Sequence, residues 1–410
     1  MTSEETLKYD IVIVGGGMVG ATMACLLRNT KLRIALIDRN KFDESQHSSP
    51  LTGASFDPRV SALTSASKRI FEEMHLWQDI QAVRYCDYQH MHVWDADGTG
   101  SISFSANELN QSELGSIVEN SVLTAALYRK IARQENLSLL TPYSINQIEI
   151  DDGIATLTTE CGTTLETSLV IAADGANSKI RELCQFETRE WDYNHQAIVT
   201  TVKTEKAHQQ TALQRFIETG PLAFLPLSLE ENDTEQNYCS IVWSAIPERA
   251  EQLIALNDKE FCAELGRSIE FRLGEIERCE QRFAFPLRQR HSVDYAKQNV
   301  VLIGDAAHSI HPLAGQGVNL GFMDAAVLAS ELQHGSDAGR ALNDLIILKR
   351  YQRKRIGHNL GMMWLMEGFK HLFAEQALPI RWLRNVGMSG VDNLSIAKNH
   401  LARRAMGLDW

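Results

Sequence analysis

The chain has 410 residues, of which 44% are hydrophobic and 22% charged, and its net charge is −12 at neutral pH. These values are ordinary for a globular protein of two or three domains, and they exclude a disordered or fibrous chain. No nucleic-acid-binding module is recognisable, so we expect no nucleic-acid partner. The amino terminus lacks the segments of a signal peptide, and the seven cysteines form no C-x-x-C pair, so we expect reduced thiols and a cytoplasmic location.

The first predicted strand is the unbroken apolar run Ile11 to Val14, which is typical of a central parallel strand. A G-x-G-x-x-G motif follows, whose glycines permit a tight turn, a close approach to a pyrophosphate and close helix packing. Its glycines are Gly15, Gly17 and Gly20. A second predicted strand, Leu32 to Ile37, ends at Asp38, whose carboxylate can accept hydrogen bonds from a ribose. This pattern favours a dinucleotide site over an ordinary strand–turn–helix with a surface acid.

Helical and strand patterns alternate to about residue 75, and strand-like segments follow between residues 88 and 104. Ser121 is predicted to cap a helix, and short strands follow it. The last of them ends at Ala173 in an acid–glycine turn, Asp174-Gly175. Such a turn suits a cofactor, but Asp174 and Ser178 are equally suited to cap the next helix.

A β-rich insertion is predicted from about Trp191 to Phe285, with two helices near Glu248 and Asp258. An apolar strand, Val300 to Ile303, then returns the chain to the parallel sheet. It ends at a Gly-Asp pair, and almost everything beyond Gln316 has a helical pattern. The pattern therefore places a third turn where cofactors bind in α/β folds.

The order of these three turns resembles that of single-component flavin aromatic hydroxylases built like p-hydroxybenzoate hydroxylase. Within that group, His311 to Asp324 matches H-P-x-A-G-Q-G-x-N-x-G-x-x-D, the signature of the ubiquinone-biosynthesis flavin hydroxylases. The stretches Arg59 to Leu63, Trp191 to Tyr193 and Phe224 to Leu227 are also similar to the bacterial members. The resemblance extends over essentially the whole chain.

The fold that this resemblance implies is α/β, with a Rossmann-like FAD-binding domain of the p-hydroxybenzoate hydroxylase type. A β-sheet substrate domain is inserted into it, and a helical carboxyl-terminal region follows. The FAD-binding domain is expected in residues 1–75, 111–185 and 286–345. The substrate domain is expected in residues 76–110 and 186–285, and the helical region in residues 346–410.

The resemblance also implies which residues bind FAD: the pyrophosphate at the first glycine motif, the adenosine ribose at Asp38 and the ribityl chain at Asp305. The backbone from Gly315 to Asn319 is expected to line the isoalloxazine. The full set of expected cofactor-binding residues is Gly15, Gly17, Gly20, Asp38, Arg39, Arg59, Asp174, Gly175, Arg181, Gly304, Asp305, Pro312, Gly315, Gln316, Gly317, Val318 and Asn319. Because the chain has no second G-x-G-x-x-G motif, NAD(P)H is expected to visit only transiently as electron donor.

The implied activity is hydroxylation of a polyprenylated phenol or benzoquinol in ubiquinone biosynthesis, with O2 as co-substrate and a flavin C4a-hydroperoxide as oxidant. Position C5 is favoured, and C6 of the demethoxy-benzoquinol is the alternative. Two further hypotheses are a flavin hydroxylase of a soluble aromatic acid and a non-catalytic flavoprotein that escorts prenylated partners. No catalytic residue is required by this chemistry, although Tyr193 and His195 are candidates for assisting phenol deprotonation.

Two remaining patterns concern metals and membranes. His308 with His311, and His90 with His92, lack a suitably spaced third ligand, so we expect no metal. The basic run Lys349 to Arg355 precedes the apolar run Leu360 to Phe373. This order suits peripheral contact with the inner membrane or with other ubiquinone-biosynthesis proteins, while a solvated helix face or packing on the body is the alternative. We also expect a homo-oligomer.

Overall fold

The fold was obtained from a computed structural model. It describes residues 6–42, 55–96, 100–230, 233–309 and 317–374, together with residues 398, 399, 403 and 406. The side chains of Tyr193 and of residues 365–367 and 369–374 lie outside the described part.

The described strands, numbered in chain order, are β1 Leu7–Val14, β2 Ile34–Ile37, β3 Val60–Leu63, β4 Cys86–Tyr88, β5 His90–Asp95, β6 Ser101–Ser105, β7 Gly115–Glu119, β8 Leu137–Leu140, β9 Ile145–Asp151, β10 Ile154–Thr159, β11 Thr164–Ala172, β12 Thr188–Thr204, β13 Thr211–Ile217, β14 Gly220–Leu227, β15 Tyr238–Ala245, β16 Ile276–Cys279, β17 Phe283–Ser292, β18 Ala296–Lys297, β19 Val300–Leu302 and β20 His308–Ser309. The described α-helices are α1 Met18–Leu26, α2 Ser65–Glu73, α3 Trp77–Gln81, α4 Asn120–Ile131, α5 Lys179–Leu183, α6 Pro247–Ala255, α7 Asp258–Ser268, α8 Gly317–Asp337 and α9 Leu345–Ala374.

The first sheet has a parallel centre in the order β19-β11-β1-β2-β8. Its central strands are apolar on both faces because helices cover both sides, as parallel sheets require. Residues 34–37 of β2, for example, are completely buried. Helix α1 packs against α4 and α8. The antiparallel strands β9, β10 and β18 extend the sheet beyond its parallel part.

The second sheet is largely antiparallel and runs in the order β20-β17-β12-β15-β14-β13-β5-β6, with β16 also paired to β12. One face packs on α6 and α7, where Trp243 lies against Phe261 in a buried cluster. The opposite face packs through Leu225 on the small third sheet, β3-β7-β4. Since β20 follows the third turn directly, the second sheet meets the parallel sheet at that turn.

Two sequence predictions need correction. Helix α4 begins at Asn120 rather than after Ser121, because the Asp57 carboxylate accepts the Ser121 N–H (3.0 Å) inside the first turn. The basic run of α9 is not a uniformly solvated face, since Tyr351 and Arg355 are completely buried against the body. Among the helices that the structure describes, none combines the length and the apolar character needed to span a bilayer.

Candidate functional site

The three predicted turns lie side by side at one edge of the parallel sheet. They follow β1, β11 and β19, which are neighbouring parallel strands and therefore end at the same edge. The Ala173 N–H donates to the Val14 carbonyl (2.7 Å), and the Ile303 N–H donates to the Ala172 carbonyl (2.9 Å). Carboxyl ends of parallel strands are where α/β folds bind ligands. The convergence inferred from sequence is thus present in the fold.

The glycines of the first turn have different roles. Gly15 has φ +107°, and a Cβ there would overlap the Ala173 carbonyl, while a Cβ at Gly20 would overlap the Gly15 carbonyl. A Cβ at Gly17 would meet nothing within 4 Å. Gly17 is also the N-cap of α1, and no side chain of the described residues caps that helix. An open position beside uncapped N–H groups fits a pyrophosphate.

Asp38 supports the first turn from the end of β2. One carboxylate oxygen accepts the Gly16 N–H (2.7 Å), and the other accepts the Asn40 N–H (2.7 Å). The hydroxyl of buried Tyr128 donates to the Gly16 carbonyl (2.7 Å) from the other side. Each oxygen of Asp38 retains a lone pair for a ribose hydroxyl. Sequence reasoning missed Tyr128, which lies more than a hundred residues away from the motif, and the side chain of Arg39 is exposed.

At the second turn, the structure shows the capping role and leaves cofactor binding as a prediction. One Asp174 oxygen accepts the N–H groups of Lys179 (2.8 Å) and Ile180 (3.2 Å), and Ser178 accepts the Arg181 N–H (3.0 Å), so both side chains cap α5. The other Asp174 oxygen, Oδ1, is buried without a partner among the described residues. Buried polar atoms are rarely left unpaired, so this oxygen fits a donor from a bound molecule.

Two more predicted residues of the second turn differ in exposure. Gly175 has φ +83°, and a Cβ there would meet nothing within 4 Å, so it borders open space. Arg181 is only 6% exposed and donates to the carbonyls of Ala176 (2.7 Å) and Ala306 (2.9 Å). Its guanidinium therefore joins the second turn to the third.

The third turn carries Gly304 at φ +58° and Asp305. The Asp305 side chain is exposed to solvent. The protein packed around it nevertheless raises the pKa of its carboxyl group, with a further upward contribution from Asp324 against the opposing effect of His308. An exposed group that is surrounded by protein lies in a cleft rather than on a convex surface. Asp305 is therefore placed to hydrogen-bond a polyhydroxylated chain.

Helix α8 begins beside this turn with Gly317 and Val318, both partly exposed. The Asn319 side chain is already engaged, because it donates to the Ala62 carbonyl (2.8 Å) and accepts the Thr64 N–H (3.1 Å). Asn319 thus fastens α8 to β3 and leaves only its backbone for a ligand. Three predicted residues, Pro312, Gly315 and Gln316, lie outside the described residues, as does His311.

Arg59 is exposed in a segment that the fold holds firmly. Asp57 accepts the Arg59 N–H (2.9 Å), and Asp57 itself donates its N–H to Glu119 (2.6 Å). Glu119 forms an ion pair with Arg84 (2.5 Å) in which both side chains are almost completely buried. Sequence reasoning missed this ion pair, since nothing in the local pattern around either residue signals it.

Of the two residues predicted in the insertion, His195 lies on one face of the second sheet. Cross-strand pairs on that face are Trp191 with Gln289, His195 with Leu287, and Ala197 with Phe285. Tyr193 falls in a bulge between Asp192 and His195, where it has no partner on β17, and its side chain is outside the described part.

This face is buried at its His291 end, against the parallel-sheet domain, and is partly exposed to solvent at Trp191 and Phe285. Trp191 is 48% exposed and Phe285 is 42% exposed. His291, two positions beyond Gln289 on the same face of β17, binds the hydroxyl of Tyr295 (3.1 Å) in the core of the parallel-sheet domain. We call this face the aromatic face and define it by Trp191, His195 and Phe285; through His291 it continues to the domain that carries the three turns.

Comparison with known proteins agrees with this geometry. Residues 8–360 match the family model described as an FAD binding domain. The chain is 33% identical to the 3-demethoxyubiquinol 3-hydroxylase of Escherichia coli over 100% of both chains. It is 34% identical to the mitochondrial ubiquinone biosynthesis monooxygenase COQ6 of Xenopus tropicalis, over 98% of this chain and 94% of the relative.

Among solved structures, the p-nitrophenol 4-monooxygenase PnpA of Pseudomonas putida superimposes with a TM-score of 0.76. The sequence identity is 17%, and the match covers 98% of this chain and 99% of that one. At this identity the similarity concerns the fold. The expected fold class, an FAD-binding monooxygenase fold with a helical carboxyl-terminal region, is confirmed.

Proposed function

This chain belongs to the family of FAD-dependent ubiquinone-biosynthesis hydroxylases, and from that membership we propose that it hydroxylates the ring of a polyprenylated phenol or benzoquinol. It is a flavin monooxygenase that uses NAD(P)H and O2. The overall reaction converts an aromatic C–H, O2, NAD(P)H and a proton into a phenol, water and NAD(P)+. The structural observation that carries the proposal is the aromatic face, because its strand β17 pairs with β20 directly after the third turn.

We assign FAD to that cleft. The α1 N-terminus at Gly17 would bind the pyrophosphate, Asp38 the ribose and Asp305 the ribityl hydroxyls, while the unpaired Asp174 oxygen would accept a donor from FAD or the nicotinamide. The start of α8, at Gly317 and beyond, would direct N–H donors at the flavin. Bound FAD supplies the redox chemistry, by which an oxygen atom of O2 reaches the ring.

The chain's own contribution to catalysis is then positioning and exclusion of water. Trp191 and Phe285 offer apolar surface for the ring and the first isoprene units. His195 lies on the same face and would accept a hydrogen bond from the phenol hydroxyl. Tyr193 stays a candidate for the same role.

Two ring positions compete. Within the family, we favour C5 of a polyprenylphenol. The second candidate is the demethoxy-benzoquinol, and the printed name of the Escherichia coli relative, a demethoxyubiquinol hydroxylase, supports it. We further propose a cytoplasmic protein, peripheral to the inner membrane through α9, that forms homo-oligomers and contacts other proteins of the pathway.

Lipid analysis of a deletion strain tests the proposal. A prenylated precursor lacking one ring hydroxyl should accumulate, and its structure identifies the position. Expression of the wild-type chain should restore ubiquinone, whereas Asp305→Ala should not and should purify with little yellow colour. Normal ubiquinone in the deletion strain, or NADH oxidation stimulated only by a soluble hydroxybenzoate, would exclude a prenylated substrate. Full complementation by a colourless protein would favour the escort hypothesis instead.

A further inference from the structure

Beneath the third turn lies a group of charged and polar side chains without access to solvent. Asp324, Arg355 and Asn359 are 0% exposed, and His308 is 1% exposed. A buried carboxylate is strongly destabilising unless cations and hydrogen-bond donors surround it. The proposed hydroxylation does not use any of these side chains directly.

The Asp324 carboxylate is the centre of this group. Oδ2 accepts the backbone N–H of Gly304 (3.0 Å) and binds His308 Nε2 (2.5 Å). Oδ1 accepts Arg355 Nε (2.6 Å) and Asn359 Nδ2 (3.3 Å). Arg355 also donates to the Asn359 side chain (2.8 Å). Asp324 therefore receives four donors, of which one belongs to the third turn itself.

The charges around Asp324 keep it ionised. Burial alone would raise the pKa of its carboxyl group, but His308 and Arg355 hold that pKa well below the usual value. An ionised carboxylate accepts a backbone N–H more strongly than a neutral side chain does. Gly304 has a positive φ, one of several conformations that glycine adopts at similar cost, so the bond from its N–H to Asp324 selects this conformation.

A neighbouring ion pair separates this role from simple helix packing. Lys354 and Glu331 also join α9 to α8 (2.6 Å), and among the described residues neither side chain has a hydrogen bond or ion pair to the third turn. Attachment of α9 to α8 is therefore available without Asp324. The distinguishing contact of Asp324 is the Gly304 N–H, immediately before Asp305.

We propose that Asp324, which binds Arg355, His308 and the Gly304 N–H, is a positioning residue that fixes the third turn in the conformation that binds FAD. Helix α9 of the carboxyl-terminal region thereby becomes part of the flavin site through Arg355. The inference rests on the proposed assignment of Asp305 to FAD.

The test compares FAD release from purified holoenzymes after dilution, followed by flavin fluorescence, together with the thermal stability of each protein. Asp324→Asn should raise the FAD dissociation constant about tenfold or more, as expected for one lost charge-assisted bond. Arg355→Lys keeps the charge and should have a smaller effect than Arg355→Met. Glu331→Gln is the matched control and should stay within about twofold of wild type.

The possible failures are distinguishable. If Asp305→Ala weakens FAD binding but Asp324→Asn does not, the positioning role is overturned and the FAD assignment stands. If Asp305→Ala leaves FAD binding unchanged, both are overturned. If Glu331→Gln and Asp324→Asn weaken FAD binding equally, the role of Asp324 is limited to packing α9 against α8. If Asp324→Asn fails to fold, the comparison of Arg355→Lys with Glu331→Gln decides in the same way.

Discussion

At the scale of single residues, the glycines of the first motif separate packing from ligand binding. Gly17→Ala should leave thermal stability nearly unchanged, because its Cβ would project into open space. FAD affinity should fall about tenfold, because that Cβ occupies the approach of the pyrophosphate. Gly20→Ala is the contrast, and it should destabilise the fold by about 1–3 kcal/mol through overlap with the Gly15 carbonyl. Wild-type FAD affinity in Gly17→Ala would contradict the assignment.

Protonation of His291 is expected to lower the stability of the folded protein at acidic pH. Burial, with the charges of His308 and Arg189, lowers its pKa from 6.5 to about 4. Because the unfolded chain binds this proton more readily, stability is retained above pH 6.5 and lost as pH falls from 6.5 towards 4. The loss contributed by this residue is about 3 kcal/mol at most. Urea unfolding across this pH range should show it.

The control for this prediction is His291→Gln, which cannot titrate and should flatten the pH dependence in that interval. Asp324 affects stability at lower pH. Because its pKa is depressed in the folded protein, its contribution to stability is present above the usual carboxyl pKa and is lost as the pH falls below that value. A wild-type profile that is flat between pH 6.5 and 4 would show that His291 is not held neutral.

Local patterns were sufficient to predict the three turns and insufficient to predict the residues that support them. Apolar strands ending in glycine turns can be recognised in sequence, and parallel pairing of β1, β11 and β19 brings those turns together. Tyr128 and the buried Arg84–Glu119 pair became visible only in the fold, because their partners are distant in sequence. The bulge in β12 that contains Tyr193 was likewise not visible in the local pattern, and the role of Tyr193 stays a prediction.

At the scale of elements, α9 has two different faces. Arg355 and Tyr351 are buried in the body, whereas Arg350 and Arg353 are exposed and Trp364 is 74% exposed. Arg353 and Trp364 are eleven residues apart, which returns a helix to nearly the same side. The basic and aromatic surface predicted from sequence thus exists on the outer side of α9, while its inner side completes the network around Asp324.

We therefore predict that the protein cosediments with vesicles containing anionic lipid. Arg353→Gln should lower the fraction bound to the vesicles about fivefold, which corresponds to the attraction of one basic side chain to an anionic membrane surface. Trp364→Ser should lower it further by removing interfacial apolar area. Arg133→Gln changes an exposed charge in the turn after α4 and should have no effect. Equal loss in Arg133→Gln and Arg353→Gln would indicate net charge rather than a surface on α9.

At the scale of the molecule, one hydrogen-bonded path joins the two halves of the proposed site. From Asp324 it passes through Asn359 to the hydroxyl of Tyr295 (3.3 Å) and on to His291 (3.1 Å). His291 belongs to β17, the strand that also carries Phe285. The turn assigned to FAD and the aromatic face are therefore held in a fixed relation by buried contacts.

This arrangement predicts that substrate binding can be weakened without loss of flavin. Phe285→Ala and Trp191→Ala remove exposed apolar surface from the aromatic face, so KM for a prenylated phenol should rise about tenfold each while FAD content stays at wild-type level. Phe271→Ala is the matched control, since Phe271 is 45% exposed but packs beside Gly266 near α7. Steady-state kinetics with a short-chain prenylphenol measure the difference. An unchanged KM in both aromatic-face variants would place the substrate elsewhere, because an apolar ring bound at this face would lose binding affinity when either contact is removed.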